Sequence, residues 1–213
     1  KELVRWSAET LELDLDKEKT YKFLALSERK KNYLGIHKGS NYIEIKGMLA
    51  RKHNTPQFIK KIFAEAMELI AKIDNIESFQ KNKKELISII KRGYQNIGKP
   101  VEKGGFPIEE YSISVVLSKP IESYTKAIPQ HVTAAKMLSP IEQMTLNIGS
   151  IINYVKTRTK EGVKPLNQAN INEIDVTKYR ELLESTFEQV LDAFNLDFDE
   201  IKGAKKLDTF FKT

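Results

Sequence analysis

The chain contains no cysteine. Disulfides and thiolate metal sites are therefore excluded, and a cytoplasmic protein fits. Ten glycines are spread over 213 residues. They build no Gly-rich phosphate loop, because Gly104-Gly105 lacks the Lys-Ser/Thr that must follow. No apolar run approaches the ~18 residues needed to cross a bilayer. No charged-then-apolar signal segment opens the chain. The three histidines, His37, His53 and His131, have no metal-ligand spacing. No Ser/His/Asp or Cys/His arrangement suits nucleophilic catalysis. The first residue is Lys1 rather than Met, as in a chain whose leading residues are removed or disordered, or in a piece of something longer.

What is present is a globular composition, 40% hydrophobic and 30% charged, with a net charge of +6. That allows one large domain or two small ones. The distribution of charge says more than the total. From Arg29 to Lys61 there are nine Lys or Arg (Arg29, Lys30, Lys31, Lys38, Lys46, Arg51, Lys52, Lys60, Lys61) and one acid, Glu44. A basic block beside a balanced remainder points to a nucleic-acid surface. A solvated Lys-rich face, common in proteins from hot environments, is the alternative.

Periodicity divides the chain. Residues 1–13 form a short amphipathic helix with Leu3, Val4, Trp6 and Leu11 as its apolar positions. Strands are expected over 19–26, 32–37 and 42–46, with the last turning Tyr42 and Glu44 away from Ile43 and Ile45. This β part is small, so it is expected to lean on another sheet supplied from elsewhere. Thr55-Pro56 signals a helix start, and Phe58, Ile59, Ile62, Phe63, Ala66, Leu69, Ile70 and Ile73 follow at helical spacing. A second helix is expected over 79–95. Residues 98–107 form a loop, 111–117 a strand, and short helices start at Pro120 and Pro129. A strand over 148–157 and irregular chain over 163–174 lead to a last long helix, 176–194. Asp175 can cap its start and Asn195 can close it.

Several constellations could carry chemistry. Asp14 and Asp16 share a strand face, but their charge-rich surroundings make them structural. His131 opens the helix after Pro129, where backbone N–H groups and an imidazole suit a phosphate. An ordinary helix start is the alternative. Lys156 and Arg158 are spaced to share a face at period two and could touch a phosphate backbone. A solvated strand end explains them equally well. The tail carries Leu207, Phe210 and Phe211, which one helical turn gathers into an apolar plug.

The most informative run is Arg29-Lys30-Lys31-Asn32-Tyr33-Leu34-Gly35. A strand flanked by three cations and a phenol presents charge and hydrogen-bond donors at one fixed place, a shape suited to a polyanion. From about Leu13 to Thr213 the chain resembles the C-terminal end of archaeal family B DNA polymerases. The Lys-Lys-x-Tyr element there touches the primer–template duplex. Further matching stretches are Lys19-Thr20-Tyr21-Lys22-Phe23, Ile45-Lys46-Gly47-Met48, Asn54-Thr55-Pro56-Gln57-Phe58, Leu117-Ser118-Lys119-Pro120, Pro129-Gln130-His131-Val132, Gly162-Val163-Lys164-Pro165 and Ser185-Thr186-Phe187-Glu188-Gln189. The tail resembles the sliding-clamp peptide motif, with Ala204 where that motif has Gln.

The resemblance implies an α+β chain: a β-rich palm-completing segment over 1–49, a mostly helical thumb over 50–202 and a clamp-binding tail over 203–213. It implies DNA contacts at Arg29, Lys30, Lys31, Tyr33, Lys119, His131, Lys156 and Arg158, and clamp contacts at Leu207, Phe210 and Phe211. Lys31 and Tyr33 are expected to reach the minor groove, whose acceptors sit alike in every correct pair. The family's exonuclease domain, fingers and catalytic carboxylates have no counterpart here. The expected enzyme is therefore a DNA-directed DNA polymerase completed by a large subunit. That partner would hold Mg²⁺, and this chain, inactive alone, would hold primer–template DNA and a sliding clamp. No membrane is involved. The alternative is a non-catalytic DNA-binding or clamp-adaptor protein derived from a polymerase thumb. A third reading is a basic domain that never meets nucleic acid.

Overall fold

The computed structural model describes residues 2–13, 18–26, 32–40, 42–47 and 54–202. Asp14, Asp16, Arg29, Lys30, Lys31, His53, Leu207, Phe210 and Phe211 lie outside the described residues. The chain runs α1 (Glu2–Leu11), β1 (Tyr21–Leu26), β2 (Tyr33–His37), β3 (Ile43–Lys46), α2 (Gln57–Ile70), α3 (Ile76–Asn96), β4 (Ile113–Val116), α4 (Gln130–Lys136), α5 (Pro140–Met144), β5 (Ile151–Lys156), β6 (Val163–Pro165), α6 (Val176–Ala193) and α7 (Phe198–Lys202). Among the described residues two antiparallel three-stranded sheets form, ordered β1-β2-β3 and β4-β5-β6. The mixed α+β class expected from the sequence is the class observed.

Helices of the same chain cover one face of the first sheet. Its inner face carries Leu34 and Ile36, both buried, with Phe23, Ile43 and Ile45 beside them, and packs on α2, α3 and α6. Helices of the same chain supply the apolar surface that a three-stranded sheet needs. Phe23 lies 6.0 Å from Phe79 and 5.9 Å from Phe194, and Phe79 stacks on Phe194 at 5.3 Å. α2 and α3 pack closely because position 93 is glycine. A Cβ there would meet the Ile62 Cδ1 at 2.5 Å.

Helix boundaries follow local hydrogen bonding. Pro56, rather than Thr55, is the residue that caps α2, and no side-chain cap is made. α3 begins three residues before the expected Phe79, because Asn75 accepts from the Ser78 N–H while Ser78 reaches back to the Asn75 backbone. That reciprocal pair fixes the first turn. Asp175 caps α6 by accepting from the Lys178 N–H at 3.1 Å. Asn195 closes that helix in a left-handed conformation, φ 50°, as expected.

A second core joins β4, β5 and β6 to α4 through Ile113, Leu117, Val132, Ala134, Ala135, Ile152, Tyr154 and Val163. The segment expected to be irregular contains β6 and two short 3-10 turns. β6 has three residues and ends in proline at a sheet edge, where no ladder donor is needed.

One buried phenol connects the two cores. The Tyr179 hydroxyl on α6 donates to the Tyr111 carbonyl at 2.8 Å and accepts from the Lys156 N–H at 2.9 Å. Its ring meets Tyr111 edge-on at 5.0 Å and Phe58 at 6.0 Å. Burial holds its pKa well above the ordinary value, so the proton needed for donation stays in place. Tyr179→Phe keeps the ring and removes both bonds. A loss of about 1–3 kcal/mol is expected, measured by denaturant unfolding at equilibrium. Retention of full stability would show that the hydroxyl bonds carry no part of the connection between the cores.

Candidate nucleic-acid interface

The outer face of the first sheet is polar and aromatic on β2 and β3, with Leu24 and Leu26 of β1 exposed beside it. Strand alternation places Tyr33, Gly35 and His37 of β2 on it, opposite the buried Leu34 and Ile36. β3 adds Glu44 and Lys46, paired across from Gly35 and Tyr33. β1 adds Tyr21 because of an irregularity in the ladder: Tyr21 pairs with His37 while Phe23 pairs with Ile36. The extra residue, Lys22, lets Phe23 enter the core and Tyr21 face outward. Tyr21 then lies across β2, where glycine is required. A Cβ on Gly35 would stand 2.5 Å from the Tyr21 ring.

The rings form a row. Tyr21 meets Tyr33 at 6.1 Å and His37 at 5.0 Å, both edge-on. His37 meets Tyr42 at 5.2 Å. Lys46 Nζ sits 5.7 Å from the Tyr33 ring centre, a cation–π distance.

Glu44 lies at the centre of this face, with 8% of its surface exposed. Its Oε1 accepts from Lys19 Nζ at 2.7 Å and from the Tyr33 hydroxyl at 3.1 Å. Its Oε2 accepts from the Tyr21 hydroxyl at 2.7 Å and faces His37 Nε2 at 3.1 Å. Lys46 Nζ stands 3.9 Å away. The Lys19 hydrogen bond, followed by that from Tyr21, lowers the Glu44 carboxyl to about 2 despite burial. The same bond raises Lys19. Tyr21 is held well above its ordinary value, chiefly by its hydroxyl contact with Tyr33. Glu44 is thus an ionised carboxylate throughout the neutral range.

Of the residues expected to contact DNA on this face, Tyr33 belongs to the cluster. Arg29, Lys30 and Lys31 fall outside the described residues. Sequence reading missed Tyr21, His37 and Glu44 as partners of Tyr33. The strand pattern already separated Glu44 from Ile43 and Ile45. Only the register could show which residues lie opposite it.

The other expected contacts gather near the second sheet. Lys119 is exposed directly after Ser118, whose hydroxyl bonds that of Tyr124 at 3.1 Å. The His131 ring meets Tyr124 edge-on at 6.1 Å. Burial lowers the His131 pKa, so its imidazole is neutral at pH 7. Lys156 Nζ donates to Gln130 at 2.7 Å, beside His131. Burial, then Lys178, lowers its pKa. The extended pairing continues past Lys156 through a Thr157–Ile174 bridge. β5 ends at Lys156, and the Arg158 guanidinium donates to the Asn172 carbonyl at 2.9 Å. Arg158 ties the chain after β5 to the turn before α6.

No group of three His, Cys, Asp or Glu among the described residues could hold a metal ion. The Glu44 oxygens are occupied by ammonium, phenol and imidazole donors. The described residues therefore do not fit a metal site, and no metal step is assigned to them. No helix among them is long and apolar enough to cross a membrane.

The family model for DNA polymerase family B matches residues 4–193. The chain is 42% identical over 209 residues to DNA polymerase 1 of Saccharolobus solfataricus, covering 98% of this chain and 23% of that polymerase. It is 40% identical over 207 residues to DNA polymerase 1 of Aeropyrum pernix, covering 97% of this chain and 21% of that protein. The fold is similar to that of the family B DNA polymerase from Pyrobaculum calidifontis, with a TM-score of 0.63 and 20% identity over 88% of this chain and 24% of that one. The chain belongs to DNA polymerase family B. It spans less than a quarter of the length of those two curated relatives.

The Glu44 cluster has a consequence for pH. The carboxyl is lowered from 4.5 to about 2 on folding. A depressed carboxylate stabilises the fold above its unfolded pKa, and that contribution is lost as pH falls toward the folded value. Order of the Tyr21 and Tyr33 rings, followed by NMR, should persist down to about pH 4.5 and decay toward about pH 2. Glu44→Gln should flatten this titration. Identical acid titrations of the two proteins would assign the transition to other groups.

Proposed function

We propose that this chain is the palm-completing and thumb portion of a family B DNA-directed DNA polymerase, working as the small subunit beside a large catalytic chain. Residues 1–49 complete the palm, 50–202 form the thumb, and 203–213 dock on a sliding clamp. The role is to hold primer–template DNA during template-directed nucleotidyl transfer. Lys31 and Tyr33 act near the primer end, with Arg29 and Lys30 adding charge toward the backbone. Lys119, His131, Lys156 and Arg158 extend the grip along the duplex. His131 serves as a neutral hydrogen-bonding group, given its lowered pKa. Mg²⁺, which supplies the activation of the attacking hydroxyl, is held by carboxylates of the large chain.

The observation that carries the reading is the family match over residues 4–193, joined to a sheet face on which Tyr33, Tyr21, His37 and Lys46 stand side by side. The surface supports it. Leu3, Trp6 and Leu11 on α1 are 68%, 52% and 49% exposed, and Leu24 and Leu26 on β1 are 46% and 66% exposed. Exposed apolar side chains on α1 and on β1 suit burial against further protein.

Primer extension tests the reading. The purified chain should extend no primer. Adding a large family B chain that contains the catalytic carboxylates should restore Mg²⁺-dependent extension. Metal-dependent extension by this chain alone would overturn the division of labour.

The tail has a separate test. Burying a Phe or Leu side chain contributes about 1.5–3 kcal/mol, less the ordering of the tail. Clamp affinity of roughly micromolar order is expected. Replacing Phe210 and Phe211 together by Ala should abolish clamp-stimulated processivity and leave distributive synthesis on short templates intact. Full clamp stimulation in that variant would place the docking element elsewhere.

A further inference from the structure

We propose that Glu44 is a positioning residue for the DNA-contacting face, acting through the Tyr33 phenol. The inference rests on the reading of that face as a primer–template surface.

A carboxylate offers about four lone-pair sites. Glu44 uses all of them on this sheet. Oε1 faces Lys19 and Tyr33, and Oε2 faces Tyr21 and His37. It has no acceptor capacity left for a metal ion or a ligand. Its effect is therefore on its neighbours. Tyr33 starts β2, and its ring is held at three points: by Glu44 at the hydroxyl, by Tyr21 at one edge and by Lys46 over the face. Remove the carboxylate and the hydroxyl, the Lys19 ammonium and the Lys46 ammonium lose their shared anchor.

The bond also sets the polarity of Tyr33. Its proton is donated to Glu44, so toward a ligand the phenol can only accept. Minor-groove N3 and O2 atoms are acceptors too. Tyr33 consequently leaves those atoms to a lysine donor and supplies a fixed ring and an oxygen lone pair beside it. Lys31, two residues earlier in the chain, is the donor this arrangement calls for. The single acid of the basic block thus organises Tyr33 rather than diluting the block's charge.

Total affinity is a poor readout, because removing a negative charge strengthens backbone attraction for any duplex. The readout is discrimination between matched and mismatched primer ends, measured as a ratio of dissociation constants in the complete polymerase complex. Glu44→Gln keeps the side chain's size. It should lower that ratio about three- to tenfold, the scale of one hydrogen bond. Tyr33→Phe should lower it similarly, and the double variant should be no worse than either single one. An unchanged ratio in Glu44→Gln, or additive losses in the double variant, would overturn the positioning role.

Lys31→Ala separates this from the parent reading. Weakened primer–template binding in Lys31→Ala with no effect of Glu44→Gln on the ratio would sink the role of Glu44 alone. Unchanged binding in Lys31→Ala across a salt titration would remove the primer–template surface itself. Thermal unfolding of Glu44→Gln completes the set. A loss of discrimination that vanishes at temperatures well below the variant's melting point would mark a merely structural carboxylate.

Discussion

The fold turns on a single phenol. Tyr179 sits with its ring in the larger core and its hydroxyl between the Tyr111 carbonyl and the Lys156 N–H. A buried polar group is costly unless its bonds are made, and here the partners are the last residue of β5 and the turn that leads into β4. The larger core can therefore tolerate a hydroxyl only if β5 and the residues before β4 are in place. Position and satisfaction are coupled: Tyr111 also receives the Gly98 N–H at its own hydroxyl, 2.8 Å away. Leu182, one turn from Tyr179 on the same helix, touches both cores. What orients the two sheets relative to α6 is thus a short relay of polar contacts set in apolar surroundings.

The first sheet divides its work by face. The inner face is apolar and binds the sheet to α2, α3 and α6. The outer face is where charge is spent on arrangement. A buried carboxylate would be an expensive group in an apolar setting, but here its desolvation is offset by four partners, Lys19, Tyr21, Tyr33 and His37. The basic block is also less free than its composition implies. Lys61 pairs with Glu110, 49 positions further along the chain. Net charge counted along a chain overstates the charge available to a polyanion, because pairing occurs between segments that sequence keeps apart.

Helices with strong local signals were legible. Asp175 and Asn195 mark α6, and the apolar stripe from Phe58 to Ile73 marks α2, because caps and periodicity act over a few residues. The start of α3 was missed because its capping pair, Asn75 and Ser78, precedes the apolar stripe. β6 was missed because three residues, one of them proline, carry no readable alternation. The cover on the inner face of the first sheet was not legible for a tertiary reason: nothing local says that α2 and α6 will pack against β2. The family was legible in short matched stretches, and Tyr33 with it. Its setting was not. Glu44 faces Lys19 across 25 positions of chain, a relation that exists only once the three strands have paired.

The irregular pairing in β1 separates chain length from strand geometry. Tyr21 and Phe23 are two residues apart, yet they pair with adjacent residues of β2, His37 and Ile36. Lys22 is the surplus. Its ammonium reaches Asp74, 2.7 Å away, in the link between α2 and α3. A relative one residue shorter at this point would keep Tyr21 opposite His37, with the same side chains on each face, and would give up that tether. An aligned gap here marks a missing strut between sheet and helices, while the surface that Tyr21 helps to build carries through unchanged.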